Sequence, residues 1–462
     1  MTDILKLKKE AGVIAFQSSD AELNEGFVWA KNQALAYAHF GEDAVGPWYE
    51  AALPGRGAFC IRDVMHHSAG AAALGLAPHT KNMLLRFAEN ISPSRDWCTY
   101  WEITKDGEPA KEDYDNDQDF WYNLPANFDI IDACWRMYLW TGDQDYLDHP
   151  VLREFFRLTL TEYTNTWDKD GDGILDYNPA YGRRGLATYN EAGIQPLAGG
   201  DMIGTQIAAY RAYAKMAGLR GREEEQQTYA AKARELEQVY DRLWWSEEHG
   251  RFSGAMRQDR SFVTQYNAEG TFLPLYFGVV TDPAKLERSL QDVNVNLVEN
   301  VEGKTYLPDI FYRYGMNGEA FRELKELVDP DLHRREYPEV SYCAVGAVVT
   351  GLMGISGDGG STLSTLPKLN GSLEWAEVSG VPVLGRTAKV RHLKEESTEL
   401  TLEQGETLLW KASFPGKADV LYHNGEAVPA QTVTTLLGET FSSVTVQVAE
   451  GETHTVSAKP KG

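Results

Sequence analysis

The stretch DMIGTQIAAYRAYAKMAGLRGREEEQQTYAAKARELEQVYDRLWW, residues 201–245, reads as two helices joined by a tight turn. In its second half Tyr229, Ala233, Leu236, Tyr240 and Leu243 recur at spacings of four and three, which makes one apolar stripe along a helix. Ile203, Ile207, Tyr210 and Ala214 form the matching stripe in the first half. A connection as short as GLRGRE sets the two helices antiparallel, as a hairpin.

The same unit repeats outward in both directions. Tight connections (GLAPHT, TGDQD, VTDPA, GMNGE) alternate with long loops near 41–62, 91–125, 168–200, 245–267, 294–303 and 329–338. About twelve helices are predicted before residue 357, near 22–40, 62–75, 80–90, 126–141, 145–167, 201–217, 222–244, 268–279, 283–293, 304–314, 318–328 and 339–354. Every long loop leads into an even-numbered helix. Those helices are rich in apolar and small residues, as in SAGAAALGL and SYCAVGAVVTGLMGI, and suit an inner ring. Six hairpins closed on themselves make an (α/α)6 toroid, with all long loops gathered at one mouth, where function concentrates.

Composition changes after Gly357. GDGGSTLSTLP reads as a linker, and short alternating runs such as TAKVRHL, TELTL, TLLWKASF and SSVTVQV follow. The expected fold is therefore mainly α: a toroid over 1–357 and a small C-terminal β-sandwich over 358–462.

The net charge is −24, from 68 acidic and 44 basic residues, which argues against nucleic acid or an anionic membrane as partner. No apolar run approaches spanning length, and MTDILKLKKEAG lacks the apolar core of a signal peptide. Cys60, Cys98, Cys134 and Cys343 have no metal-ligand spacing and read as buried free thiols. A cytoplasmic protein acting on small molecules is expected.

The chemistry-bearing residues cluster where the long loops end. Asp63, within GRGAFCIRDVMHHS, stands beside Arg56, Arg62, His66 and His67, either as a functional acid or as a helix-capping one. DNDQDFWYNLPAN holds Asp117, Asp119, Trp121, Tyr122 and Asn123, a set suited to hydroxyl recognition and ring stacking, or to local turn bonds. Glu191 sits mid-loop in TYNEAGIQPLAGGD. Asp201, Glu302 (followed by Tyr306), Glu336 and Glu339 each stand at or just before an even-numbered helix. Glycosidic cleavage needs two such acids, one to protonate the leaving oxygen and one to activate water or attack carbon. DKDGDGILD matches the first half of a calcium loop, but its twelfth position is Pro179 where a bidentate Glu is required. No cofactor is expected. At most a weak structural calcium would sit at Asp168, Asp170 and Asp172.

From about residue 26 to 355 the chain resembles the six-hairpin, (α/α)6-barrel glycoside hydrolases. GRGAFCIRDVMHHSAGA (55–71), YNLPANFDIIDACWRMYLWTGD (122–143), DKDGDGILDYN (168–178), TYLPDIFYRYG (305–315) and REYPEVSYCAVGAVVTGLMGI (335–355) carry the resemblance. The segment LPKLNGSLEWAEVSGVPVLGRTAKVRH (366–392) is similar to the β-domain that follows the barrel in relatives of bacterial α-L-rhamnosidases. The resemblance implies an exo-acting, inverting hydrolase of small oligosaccharides or glycosides. Glu191 matches the glucoamylase-type acid, Glu339 (or Glu336 beside it) the second carboxylate, acting as base, and Arg62-Asp63 a substrate-binding pair. His67, Asp119, Trp121, Asn123, Asp201, Glu302 and Tyr306 complete the expected sugar site. The same toroid also hosts polysaccharide lyases, epimerases and phosphorylases, and a non-catalytic carbohydrate-binding protein is the remaining alternative. Glu191, beside Tyr189, is expected to be the drier of the two carboxylates.

Overall fold

The computed structural model describes residues 2–191, 195–296, 298 and 300–460. Twelve principal helices stand where the apolar periodicity places them: α1 (Ala21–Ala36), α2 (Ile61–Ala73), α3 (Ala77–Glu89), α4 (Pro125–Thr141), α5 (Pro150–Leu158), α6 (Gly200–Leu219), α7 (Glu223–Val239), α8 (Ala268–Tyr276), α9 (Pro283–Asn296), α10 (Leu307–Arg313), α11 (Asn317–Val328) and α12 (Pro338–Gly346). Even-numbered helices are the buried ones. In α6 sixteen residues are buried, whereas in α7 only Ala233 and Leu236 are. Prolines at the first turns of α4, α10 and α12 set the entry dihedral where no backbone N–H is needed.

Each buried helix packs on the next. α2 lies against α4, α4 against α6, α6 against α8, and α8 against α10; α10 meets the π-helical turn Ala347–Leu352 that continues α12, and α12 returns to α2. The odd-numbered helices back them. The α2–α12 crossing is close because of Gly70. A Cβ there would stand 1.8 Å from the carbonyl oxygen of Tyr342, so any side chain would force the helices apart.

One apolar stripe departs from its expected phase. Leu243 is 52% exposed and Trp244 is buried in its place. The π-helical turn Tyr240–Trp244 adds a residue to the last turn of α7 and advances the buried face by one.

After the helices the chain is strand-rich. A seven-stranded sheet runs in the order Ala15–Ser18, Trp375–Val383, Arg386–Leu393, Ser397–Gln404, Thr453–Ser457, Val420–His423, Glu426–Pro429. A five-stranded sheet is built around Leu408–Pro415 and Thr440–Val448. Alternate residues of these strands are buried, among them Val390, Leu400, Leu402, Trp410 and Val448. The first strand of the larger sheet comes from the chain's start: Ala15 opposes Ser379 and Ser18 opposes Ala376. Residues 15–18 therefore join the C-terminal sheet, although they lie well before the expected boundary at 357.

Candidate active site

A cavity of about 870 Å³ opens among the segments that lead into the buried helices. That volume falls in the range of small-molecule sites. Acids occupy the first turns around it: Asp63 in α2, Glu269 in α8, Glu302 in the short helix Val301–Lys304 and Glu339 in α12. A helix N-terminus favours a carboxylate there, which is why the same position recurs.

Seven residues of the expected site line this cavity: Arg62, Asp63, Trp121, Glu191, Glu302, Tyr306 and Glu339. Five do not, and each for a physical reason. His67 follows His66 by one helical step, so its ring points away, fully buried and stacked 5.4 Å from the Tyr342 ring. Asn123 is fully buried and its side-chain amide donates to the carbonyl of Thr188. Asp201, also fully buried, accepts from Thr188 Oγ1 at 3.1 Å and from the Tyr189 amide. Asn123 and Asp201 thus hold the backbone of 188–189, behind the wall. Asp119 is exposed and pairs with Arg183 at 2.8 Å. Glu336 is exposed, and its backbone carbonyl accepts from the Tyr37 hydroxyl.

Glu339 is 6% exposed, while Glu191 is exposed, just before residues 192–194, which lie outside the described residues. Glu339, not Glu191, is the drier carboxylate. Burial, then the neighbouring Asp63 and Glu302, push the Glu339 carboxyl well above the usual range, and Arg62 opposes them. Burial also lifts Asp63 to about 6; Arg62, 3.5 Å from it, pulls down while Glu302 and Glu191 push up.

Three features of the wall escaped the sequence reading. Glu269 is raised by burial, against the pull of Arg62. Glu102, 2% exposed, is lifted to about 8 by burial and by Asp113, with Arg56 Nη1 at 2.6 Å opposing. Trp101 adds a second indole beside Trp121. Deeper in, His66 is held neutral by burial, its Nε2 2.9 Å from Thr305 Oγ1 and 3.1 Å from Cys343 Sγ. Arg62 also lies over the Tyr189 ring at 5.3 Å, and the Tyr189 hydroxyl donates to the buried Asp129. The result is an acidic pocket with aromatic faces, which can grip hydroxyl groups and stack on a ring.

Residues 120–330 match the family model of the bacterial α-L-rhamnosidase six-hairpin glycosidase domain, a glycoside hydrolase domain. The chain resembles the six-hairpin glycosidases. Its structure is similar to an α-L-rhamnosidase from Dictyoglumus thermophilum (TM-score 0.64, 13% identity, over 96% of this chain and 50% of that one). It is also similar to a sialidase (0.60, 15%, over 84% and 39%) and to a rhamnosidase of Bacillus sp. GL1 (0.57, 15%, over 86% and 41%). The chain spans half or less of the length of each of these proteins. At such identities the likeness is one of fold, and function must be argued from the site. No curated protein matches in sequence. No helix among the described residues is long and apolar enough to cross a membrane. Within this six-hairpin frame, the glycosidase-like region from 120 to 330 supplies Trp121, Glu191, Glu269 and Glu302, and the flanking helices α2 and α12 supply Arg62, Asp63 and Glu339.

Proposed function

We propose that this chain is an exo-acting glycoside hydrolase that cleaves small oligosaccharides or glycosides with inversion, its helices forming an (α/α)6 toroid and its C-terminal strands a β-sandwich. The observation that carries the reading is that Glu191, in a loop, and Glu339, in the first turn of α12, line one aromatic-walled cavity. One carboxyl gives its proton to the glycosidic oxygen; the other takes a proton from water as it attacks the anomeric carbon. Arg62 and Asp63 hold hydroxyl groups, and Trp121 covers an apolar sugar face. Its place of action on this reading is the cytoplasm, on imported substrates, in keeping with four cysteines that are all free and buried. The Asp168–Asp176 loop plays a structural part.

A panel of nitrophenyl glycosides with NMR detection of the first-formed anomer tests this. Release of nitrophenol together with a free sugar whose first-formed anomer is opposite in configuration to the glycoside supports it. A product with a new double bond would instead show elimination, as in a lyase, and binding without turnover of any glycoside would leave only a carbohydrate-binding role.

A further inference from the structure

The proposed hydrolysis needs two carboxylates, yet the cavity wall carries seven against two guanidinium groups. Both cations are engaged. Arg56 Nη1 stands 2.6 Å from Glu102 and 3.5 Å from Asp113, and Arg62 pairs with Asp63. His66 is neutral. With the Glu191–Glu339 pair set aside, Glu269 and Glu302 remain, and among the described residues neither has an ion-pair partner. They are neighbours, since the Glu302 charge reaches Glu269, and the Asn300 side chain hydrogen-bonds Glu269.

One further observation points to a ligand that makes hydrogen bonds. The Tyr266 hydroxyl, beside Glu269 on the wall, is enclosed and has no hydrogen-bond partner. Glu102 is already engaged, by Arg56 at 2.6 Å and by Asp113. Among the described residues, three ligand atoms converge within 4.8 Å only at Asp168, Asp170 and Asp176. The cavity acids are thus too spread for a bare ion and suit a cation attached to a larger molecule.

We propose that Glu269 and Glu302 form an ammonium subsite, so that the preferred substrate is a glycoside bearing a protonated amine and anionic sugars are rejected. The proposal rests on the hydrolase reading for the word substrate, but its binding claim stands apart from turnover. A hydroxyl group would satisfy one carboxylate with one hydrogen bond, whereas an ammonium offers three donors and a charge.

The test is calorimetric titration of the full chain at low salt with glucose, glucosamine, 6-amino-6-deoxyglucose and glucuronate. At least one amino sugar is expected to bind about ten-fold or more tighter than glucose, and glucuronate about ten-fold or more weaker. The advantage should shrink with added salt and fall below about two-fold in Glu269→Gln and in Glu302→Gln. Equal binding of glucose and both amino sugars overturns the proposal, as does no detectable binding of either amino sugar or an advantage that survives both substitutions. Amine selectivity in a protein that hydrolyses no glycoside would sink the hydrolase reading alone. Hydrolysis of neutral glycosides without amine selectivity would sink the subsite alone.

Discussion

The imidazole of His66 lies flat on the phenol of Tyr306, ring centroids 3.5 Å apart and planes within 6°. Tyr306 in turn meets the ring of Tyr276 edge-on at 5.0 Å, and Arg136 Nη1 donates to the Tyr276 hydroxyl at 2.7 Å. The stack makes a wall whose half-buried cation, Arg136, helps keep His66 uncharged, after burial itself and the neighbouring His67.

From this follows an expectation for the pH profile. His66 stays neutral throughout the working range, so it cannot supply a titrating limb. His66→Gln keeps a neutral polar group near Thr305. It should lower kcat/KM while leaving both limbs of the kcat/KM profile in place. Loss of a limb in this variant would show that His66 titrates in the active enzyme.

Trp121 lines the cavity as a half-buried indole. Stacking on a sugar face is made equally in the ground state and the transition state. Trp121→Ala should therefore raise KM about ten-fold and change kcat by less than about two-fold. An unchanged KM would remove Trp121 from the sugar site.

Much of this arrangement was legible in the sequence because a helix repeats every 3.6 residues and each hairpin repeats the same loop order. That periodicity places Asp63, Glu302 and Glu339 at equivalent first turns. Glu269 occupies the same position in NAEGTF and could have been found by that rule alone. Glu102 could not. It reaches the cavity because Glu102–Thr104 pairs with Ala58–Cys60, and Cys60 opposes Glu102, a contact between two loops that no local spacing announces. His67, Asn123 and Asp201 look functional in the sequence because buried polar groups and catalytic ones share residue types. Only their partners, the Tyr342 ring and the backbone at 188–189, show that they serve packing. The relative dryness of Glu191 and Glu339 depends on loop depth, which the chain order does not encode.

The Asp168–Asp176 loop is expected to be indifferent to metal. Carboxylate oxygens of Asp168, Asp170 and Asp176 do lie within 4.8 Å of one another. Asp172, expected among the ligands, instead accepts from the Ile174 amide at 2.9 Å. Asp168 accepts from the amides of Gly171 and Gly173, and Asp170 pairs with Arg260. These bonds hold the loop in shape without an ion. Extensive dialysis against a chelator should leave both turnover and Tm unchanged. A rise in Tm on adding calcium would identify a bound ion through its linkage to folding.

His67 should make the protein sensitive to mild acid. It is fully buried, neither ring nitrogen has a hydrogen-bond partner, and burial, aided by Arg62, lowers it to about 3. In the unfolded chain it titrates near 6.5. Between those values the unfolded state binds the extra proton, so stability falls as pH drops below about 6.5, by up to about 1.4 kcal/mol per unit. His67→Leu removes this dependence. The variant's stability relative to the parent should improve by up to about 2 kcal/mol on going from pH 7 to pH 5, measured by urea unfolding. A gap that stays constant with pH would mean that His67 takes a proton in the folded protein.

Glu191 and Glu339 are the pair on which the hydrolytic reading stands. Glu191→Gln and Glu339→Gln keep shape and polarity, so circular dichroism should be unchanged while kcat falls roughly 10²–10⁴-fold in each. The two variants should then part company. A small anion restores turnover only where the group that activates water has been lost, because it can occupy the water's place, whereas it cannot donate the proton that an acid variant lacks. Azide should therefore rescue one variant and not the other, yielding a glycosyl azide of inverted configuration. Two physical readings differ on which. The expectation from sequence resemblance gives the base role to Glu339, while the burial that favours a proton on Glu339 gives it to Glu191. The free-enzyme pH profile separates them: if Glu339 is the base, the acid limb of kcat/KM lies well above the ordinary carboxylate range and moves down in Asp63→Asn, because removing the Asp63 charge eases ionisation of Glu339. If Glu339 is the acid, it is the alkaline limb that moves in that variant. Full activity in either Gln variant would end the assignment of that residue to the pair.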